Sequence, residues 1–308
     1  MSWTGTQRAA WAVTILALGG AAIAGTGAQA GADPFRITGC SLGCASGPTT
    51  VSCGIVNVAA NQELTIDFSQ AVDLHSVIYF PGSVRIYNAA NGLAPIGTFR
   101  LGPQDRRTLV FQPSLSFGPE GNPMFGFEPN ATYLILLPGR LAGDPPPYVL
   151  SHAGQPLENR LFCTITADQG VLDYVPGPPT YSTRVQVVEE CKPGGPTHSA
   201  PAAEARCVSV DSDLTLRFHD VMNVATLLVP ASGMAPFIQV RFAETGIPVS
   251  GSWSFSVDLN AKTTDVVFHP AAPWPPLTKI EVVVPPQVTD LVGNPHAGPG
   301  LFRFLTEK

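Results

Sequence analysis

The sequence predicts an all-β protein made of two β-sandwich domains in tandem. Several short segments alternate apolar and polar residues, as Leu64–Phe68 does, which is typical of strands with one buried face. Turn-forming residues are abundant, with 30 Gly and 31 Pro among 308 residues, whereas charged residues make up only 13%. This composition disfavours long helices and coiled coils. The same strand-like segments also recur in one order in both halves of the chain.

Residues 1–30 have the pattern of an export signal. Arg8 precedes an apolar run at residues 9–24, and the small-x-small tripeptide 28–30 (AQA) follows as a cleavage site. No later apolar stretch approaches transmembrane length, so no transmembrane span is expected in the mature chain. We therefore expect an extracellular or cell-envelope location.

Six cysteines in an exported chain predict up to three disulfides. The disulfide candidates are Cys40, Cys44, Cys53, Cys163, Cys191 and Cys207. Cys191 and Cys207 flank the Pro-, Gly- and Ala-rich segment 192–206, which favours a bond across it. Cys163 lies on a late strand of the first domain and is expected to pair with one of the three N-terminal cysteines; which one stays open. Zinc is the competing interpretation, but no C-x2-C pair or nearby histidine supports it.

Residues 37–40 (ITGC) resemble the lipobox of bacterial lipoproteins, which would make Cys40 a lipid-anchored residue. Asp33, Pro34 and Arg36 separate this tetrad from the apolar run, where a lipoprotein signal would continue as an apolar segment. A lipid anchor at Cys40 is thus the alternative to an unmodified exported chain.

An internal duplication organises the chain. The matching segments are 63–68 with 213–218, 109–113 with 266–270, 151–156 with 290–295, and 161–166 with 301–306. Two copies of one domain explain this order best. The Pro-rich residues 169–180 form a short, stiff linker, so domain one is placed at 36–168 and domain two at 181–308. Helical turns are expected only after Phe68 and Phe218, around residues 74–77 and 224–228.

The repeated segments resemble bacterial Ig-like domains of the SbsA type, found in S-layer and other surface proteins. The resemblance rests on a strand ending in Phe with a polar step after it (68–73, FSQAVD; 218–223, FHDVMN), on the V-F-x-P pattern at 110–113, and on the D-x-x-G-N turn at 290–295. Domain one departs from the turn pattern, with Ser151 and Gln155. The resemblance implies Ig-like sandwiches that serve as spacers or adhesive modules, with no catalytic residues.

Two features are candidates for binding. Asp290 and Asn294 of the D-x-x-G-N turn carry oxygens that suit Ca²⁺, together with Asp220 or Asn223 if the fold brings them close. Against this, Asp290 would simply bond the backbone of its own turn. Trp274 lies between two prolines and is a possible binding aromatic for a sugar or a partner surface; the alternative is that it caps one end of the sandwich.

Composition narrows the function classes. A net charge of −6 with 17 Lys and Arg gives no basic surface for nucleic acid. The G-x-S-x-G match at 39–43 lacks the strand and helix of a hydrolase elbow, and no acid–base constellation is visible. We expect a non-enzymatic structural or adhesive protein without cofactors, whose partners are envelope proteins or surface glycans. The alternative is an extracellular carbohydrate- or peptide-binding protein that uses loops at the end of a sandwich.

Overall fold

The computed structural model of the chain describes residues 33–119, 121–192, 194–227 and 238–308. The predicted export signal at 1–30 lies outside these residues. The all-β prediction is confirmed: almost every described element is a strand. Residues Pro34–Lys308 form one compact unit, so the division into domains at 168 and 181 stays a prediction.

Eleven strands precede the linker in the described residues. They are β1 Ile37–Cys40, β2 Thr50–Ser52, β3 Asn57–Val58, β4 Leu64–Phe68, β5 Arg85–Asn88, β6 Gly97–Leu101, β7 Thr108–Pro113, β8 Leu115–Phe117, β9 Pro123–Phe125, β10 Thr132–Leu137 and β11 Arg160–Ala167. Eight more are described after it. These are β12 Tyr181–Val188, β13 Thr197–Ala200, β14 Leu214–Phe218, β15 Gln239–Phe242, β16 Gly251–Asp258, β17 Thr263–Pro270, β18 Lys279–Val283 and β19 Leu301–Leu305.

The sheets of the two halves share the order of their central strands. In the first half, one sheet has the order β1-β4-β7-β6 and the other β2-β11-β10-β5, with β3 beside β11. In the second half the orders are β13-β12-β14-β17-β16 and β15-β18-β19. Strands β4, β7, β10 and β11 thus correspond to β14, β17, β18 and β19. The duplication seen in sequence is therefore a duplication of strand order as well.

Each half has a hydrophobic core of its own between its two sheets. The first core includes Phe68, Phe111 and Tyr133, and the second includes Phe218 and Phe304. Alternation explains which side chains enter: in β4 and β14, the first, third and fifth residues are buried and the intervening ones are not. Burying one face of each sheet against the other produces the sandwich.

Helical structure is confined to single turns in the described residues. A 3-10 turn at Leu74–Ser76 and the α-helix α1 at Val224–Leu227 follow Phe68 and Phe218, as the sequence predicts. Two further 3-10 turns, Arg140–Ala142 and Glu189–Cys191, were not expected. None of the described helices is long and apolar enough to cross a membrane.

All six cysteines are paired in the structure. The bonds join Cys40 to Cys44, Cys53 to Cys163 and Cys191 to Cys207. The register of two strands explains the pair that is distant in sequence. Strand β2 runs parallel to β11 with Ser52 beside Phe162, so the residues that follow these two, Cys53 and Cys163, also lie side by side. The bond thus connects strands that are 110 residues apart in sequence.

The lipid-anchor alternative for Cys40 is wrong in this structure. A lipoprotein cysteine carries its lipid on Sγ, whereas the Sγ of Cys40 is bonded to Cys44. Cleavage before Cys40 would also remove Phe35 and Ile37, which are 1% and 2% exposed within the first core. Zinc is contradicted in the same way, because the neighbouring sulfurs of Cys40, Cys44 and Cys53 are all held in disulfides.

A hairpin formed by β8 and β9 belongs to the first half but packs on the second. It stands between β7 and β10, where the second copy has only a short loop. Phe117 meets Phe255 of β16 edge to face, with ring centroids 5.7 Å apart. Gly121 lies against α1 so closely that a Cβ there would be 2.8 Å from the amide nitrogen of Ala225. The hairpin therefore ties the two sandwiches together.

A buried carboxylate links the three strands of the β15-β18-β19 sheet. Glu281 of β18 is 4% exposed and pairs across the sheet with Arg241 of β15 and Arg303 of β19. Arg241 Nε donates to Oε1 at 2.7 Å, and Arg303 Nε donates to Oε2 at 2.8 Å. These bonds, that of Arg241 first, hold the pKa of Glu281 below its usual value.

We expect Glu281→Gln to lower the free energy of unfolding by about 2 kcal/mol at pH 7, since the amide lacks the negative charge that both arginines contact and its Nε2 cannot accept from one of them. Because the folded-state pKa is depressed, this stabilisation is present above the unfolded pKa of about 4.3 and is lost as the pH falls through the folded value. Urea titrations at pH 7 and at about pH 3 check this. The difference in stability between the variant and the wild type should narrow at the lower pH. The exposed Glu244→Gln is the control, and an equal loss there would contradict the assignment.

Candidate functional site

Three carboxylates meet where the linker passes the second sandwich. Asp173 comes from the linker, Asp220 from the segment after β14, and Asp290 from the turn after β18. One oxygen of each lies within 4.8 Å of the others. Asp220 and Asp290 are each 1% exposed, and Asp173 is half-buried. We call these three residues the acidic cluster.

The D-x-x-G-N sequence makes the turn that presents Asp290. Its Oδ1 accepts the backbone N–H groups of Val292 at 2.9 Å and Asn294 at 2.8 Å. Gly293 has a φ of +95°, a conformation that favours glycine. Asp290 is therefore fixed by its own turn, and its Oδ2 is held near the cluster by Nδ2 of Asn294 at 2.8 Å.

Asp220 is the least satisfied member of the acidic cluster. Its Oδ1 accepts the N–H of Val221 at 2.6 Å, but its buried Oδ2 has no hydrogen-bond partner among the described residues. Burial is the largest cause that raises its pKa to about 6; the charges of Asp173 and Asp290 raise it further, while the Val221 N–H and Lys262 oppose the shift. The surroundings of Asp220 thus make its ionised form less favourable than that of an exposed carboxylate.

Asp173 joins the linker to the turn. Its Oδ1 accepts the N–H of Val175 at 3.1 Å, and its Oδ2 accepts Nδ2 of Asn294 at 3.2 Å and the N–H of Gly177 at 3.4 Å. One amide of Asn294 therefore donates to both Asp173 and Asp290. This arrangement places the linker directly over the turn of the second sandwich.

The linker is also held from the first sandwich. Asn61 exchanges two hydrogen bonds with the backbone of Leu172, both at 2.8 Å. On the other side, Lys262 of the second half lies over the ring of Tyr174, 4.7 Å from its centroid. These contacts hold the linker against both halves of the chain.

The structure brings together part of the predicted calcium site and adds one residue to it. Asp290, Asn294 and Asp220 converge, whereas Asn223 caps α1 by accepting the N–H of Ala225 at 3.2 Å. Asp173 was missed, because in sequence it stands in a Pro-rich linker outside both repeats. The only available signal was its place beside aromatic and apolar residues in a segment that otherwise reads as a spacer.

Trp274 is not a binding aromatic. It is 2% exposed and packs between Phe268 and Phe304, with centroids 5.8 and 5.6 Å away. Its Nε1 donates to the carbonyl of Ser212 at 2.6 Å. The ring therefore lies in the second core, which agrees with a ring that caps the sandwich and contradicts the alternative that it stacks on a sugar or a partner surface.

A groove of about 670 Å³ opens between the two halves. Gln112 and Thr98 line it from the first half, and Arg217 and Asp265 from the second. Arg217 and Asp265 form a two-bond ion pair at 2.7 and 2.6 Å. Its lining includes no aromatic side chain among the described residues, so it lacks the stacking surface typical of sugar sites.

Comparison with known protein families gives a match in the second half of the chain. A model of the bacterial Ig-like domain family matches residues 196–306. These residues form a bacterial Ig-like domain. Asp220 and Asp290 lie inside this Ig-like domain, and Asp173 lies before it. No curated protein matches the chain.

Solved structures with some likeness include three multidomain proteins. The N-terminal part of the bacterial S-layer protein SbsC is 10% identical, with a TM-score of 0.28 and coverage of 89% of this chain and 44% of its own. The titin Ig tandem A164-A165 is 9% identical (TM-score 0.18; coverage 89% and 96%). A type II cohesin dyad from the ScaA scaffoldin of Acetivibrio cellulolyticus is 8% identical (TM-score 0.15; coverage 87% and 98%). These likenesses are too low to support an argument.

Proposed function

We propose that the protein is an exported, non-catalytic structural or adhesive module of the cell surface or envelope. The observation that carries this proposal is the bacterial Ig-like domain at 196–306. Such a sandwich presents surfaces and spaces other modules without needing a reaction centre. Envelope proteins or surface glycans are the partners that this role implies.

The cysteines support an oxidising location. All six form disulfides, and one of them joins strands far apart in sequence. Disulfides persist outside the cytoplasm and are rare inside it. Together with the signal-like residues 1–30, this favours an extracellular or envelope site for the mature chain.

Expression of the full chain in a bacterial host tests the proposal. We expect the protein in the periplasmic, envelope or external fraction, with no thiol reactive toward a maleimide-polyethylene glycol until a reductant is added. After reduction and denaturation, all six cysteines should react.

A chain lacking residues 1–30 is the matched control and should stay in the cytoplasm with reactive thiols. Recovery of the full chain from the cytoplasm in reduced form would contradict the proposal. The alternative, a carbohydrate- or peptide-binding protein, would have to use loop surfaces other than the buried ring of Trp274.

A further inference from the structure

We propose that the acidic cluster binds one Ca²⁺ ion through Asp173, Asp220 and Asp290, and that the ion fastens the linker to the second sandwich. The proposal concerns this site alone and stands independently of where the protein is located. It rests on the geometry of the three carboxylates, on an unpartnered buried oxygen, and on the chemistry of the available ligands.

The spacing of the carboxylates suits a single ion. Two oxygens bound to the same Ca²⁺ at about 2.3–2.6 Å are at most about 5 Å apart. The three ligand oxygens of the acidic cluster lie within 4.8 Å of one another. Small movements of side chains on loops would thus complete the coordination, with no rearrangement of the sheets.

The orphaned oxygen of Asp220 is the independent sign of a missing ligand. Buried polar atoms are nearly always hydrogen-bonded, and an unpartnered one calls for an explanation. Oδ2 of Asp220 has no hydrogen-bond partner among the described residues, and it belongs to a side chain that is 1% exposed and lies beside two further carboxylates. A cation bound among the three would satisfy it directly.

The negative charge of the acidic cluster also favours a bound cation. Three carboxylates repel one another in a buried setting, and Lys262 opposes this only in part, since its ammonium group lies over the ring of Tyr174. Asn294 donates one amide to two of them. A divalent cation would neutralise most of the charge that remains.

The ligand chemistry selects calcium among metals. The acidic cluster offers only oxygen, which excludes the sulfur and nitrogen sets that zinc prefers. Its members stand on a linker and two loops, and Ca²⁺ accepts such irregular sets of about six to eight oxygens, whereas Mg²⁺ demands near-octahedral geometry. Turning the amide of Asn294 by half a rotation would present its oxygen as a fourth protein ligand.

Titration of chelator-stripped full-length protein with CaCl₂ tests the proposal by calorimetry and by thermal unfolding. We expect one site per chain and a Tm rise of about 5 °C or more once free Ca²⁺ exceeds Kd a hundredfold. MgCl₂ in the same range should give a much smaller rise. Asp220→Asn and Asp173→Asn should each abolish the binding heat and the rise in Tm.

Controls separate loss of the site from loss of the fold. Asp211→Asn alters an exposed carboxylate of the same half and should retain the full calcium response. Without calcium at pH 7, Asp220→Asn should be at least as stable as the wild type, because it removes a buried repelling charge. Absence of binding heat in the wild type, or an unchanged response in both cluster variants, would overturn the proposal.

Discussion

Removing the bond between Cys53 and Cys163, by changing both residues to Ala, is expected to lower the free energy of unfolding by about 4.8 kcal/mol. The bond closes a loop of 110 residues, and the entropy that a cross-link removes from the unfolded chain rises with loop length. Cys163 is also 2% exposed in the first core. Urea or guanidinium titration of oxidised protein measures the loss.

The pair Cys40 and Cys44 provides the matched comparison. Their bond spans a sequence separation of 4 residues, for which the same entropy relation gives about 1.9 kcal/mol. The double Ala variant of this pair should therefore lose less than half as much stability. Equal losses for the two variants would show that local strain or packing, rather than loop closure, sets the contribution.

Trp274→Ala is expected to destabilise the protein by about 3–5 kcal/mol, as large-to-small changes of buried aromatics do. The change empties the space between Phe268 and Phe304 and leaves the carbonyl of Ser212 without its donor. Trp274→Phe keeps much of the volume and should cost about 1–3 kcal/mol, mainly for the lost hydrogen bond. Chemical denaturation of the two variants separates the packing contribution from that of the hydrogen bond.

Leu277→Ala is the control in the same loop, since Leu277 is 62% exposed. It should shift the free energy of unfolding by no more than about 0.5 kcal/mol. A Trp274→Ala variant as stable as Leu277→Ala would contradict the buried position of the indole. So would a loss of partner binding without a loss of stability.

The sandwich architecture could be predicted because local patterns determine it. Alternation places Leu64, Ile66 and Phe68 on one face, and their copies in β14 do the same. Because this pattern recurs in the second half of the chain, it indicates a repeated domain rather than a chance alternation. Helical turns after Phe68 and Phe218 were visible for the same reason.

Features that depend on contacts between distant segments escaped prediction. The hairpin β8–β9 has weak strand patterning and owes its place to the second half, through Phe117 and Gly121. Phe255 alternates like a core residue, yet it is 37% exposed and its ring meets Phe117 of the hairpin. Asp173 is a linker residue whose role arises only from what the fold places opposite it.

Only part of the candidate site could be predicted from the sequence. The D-x-x-G-N turn pointed to Asp290 and Asn294, since oxygen-bearing side chains on a tight turn are typical of calcium loops. Burial of Asp220 and the approach of the linker are properties of tertiary packing, which no local pattern encodes. For Trp274 the sequence left binding and capping of the sandwich open, and its burial between Phe268 and Phe304 decides for an inward ring.

The covalent link between β2 and β11 changes how the molecule would respond to being stretched from its two ends. A pulling force applied at the N-terminal side would be carried by the disulfide from Cys53 directly to Cys163. The residues between them, roughly 370 Å of extended chain, would not bear the force. In the second sandwich, the disulfide between Cys191 and Cys207 protects from the force only a segment with a sequence separation of 16. Under mechanical force, therefore, the Ig-like domain would lengthen while most of the first sandwich kept its shape.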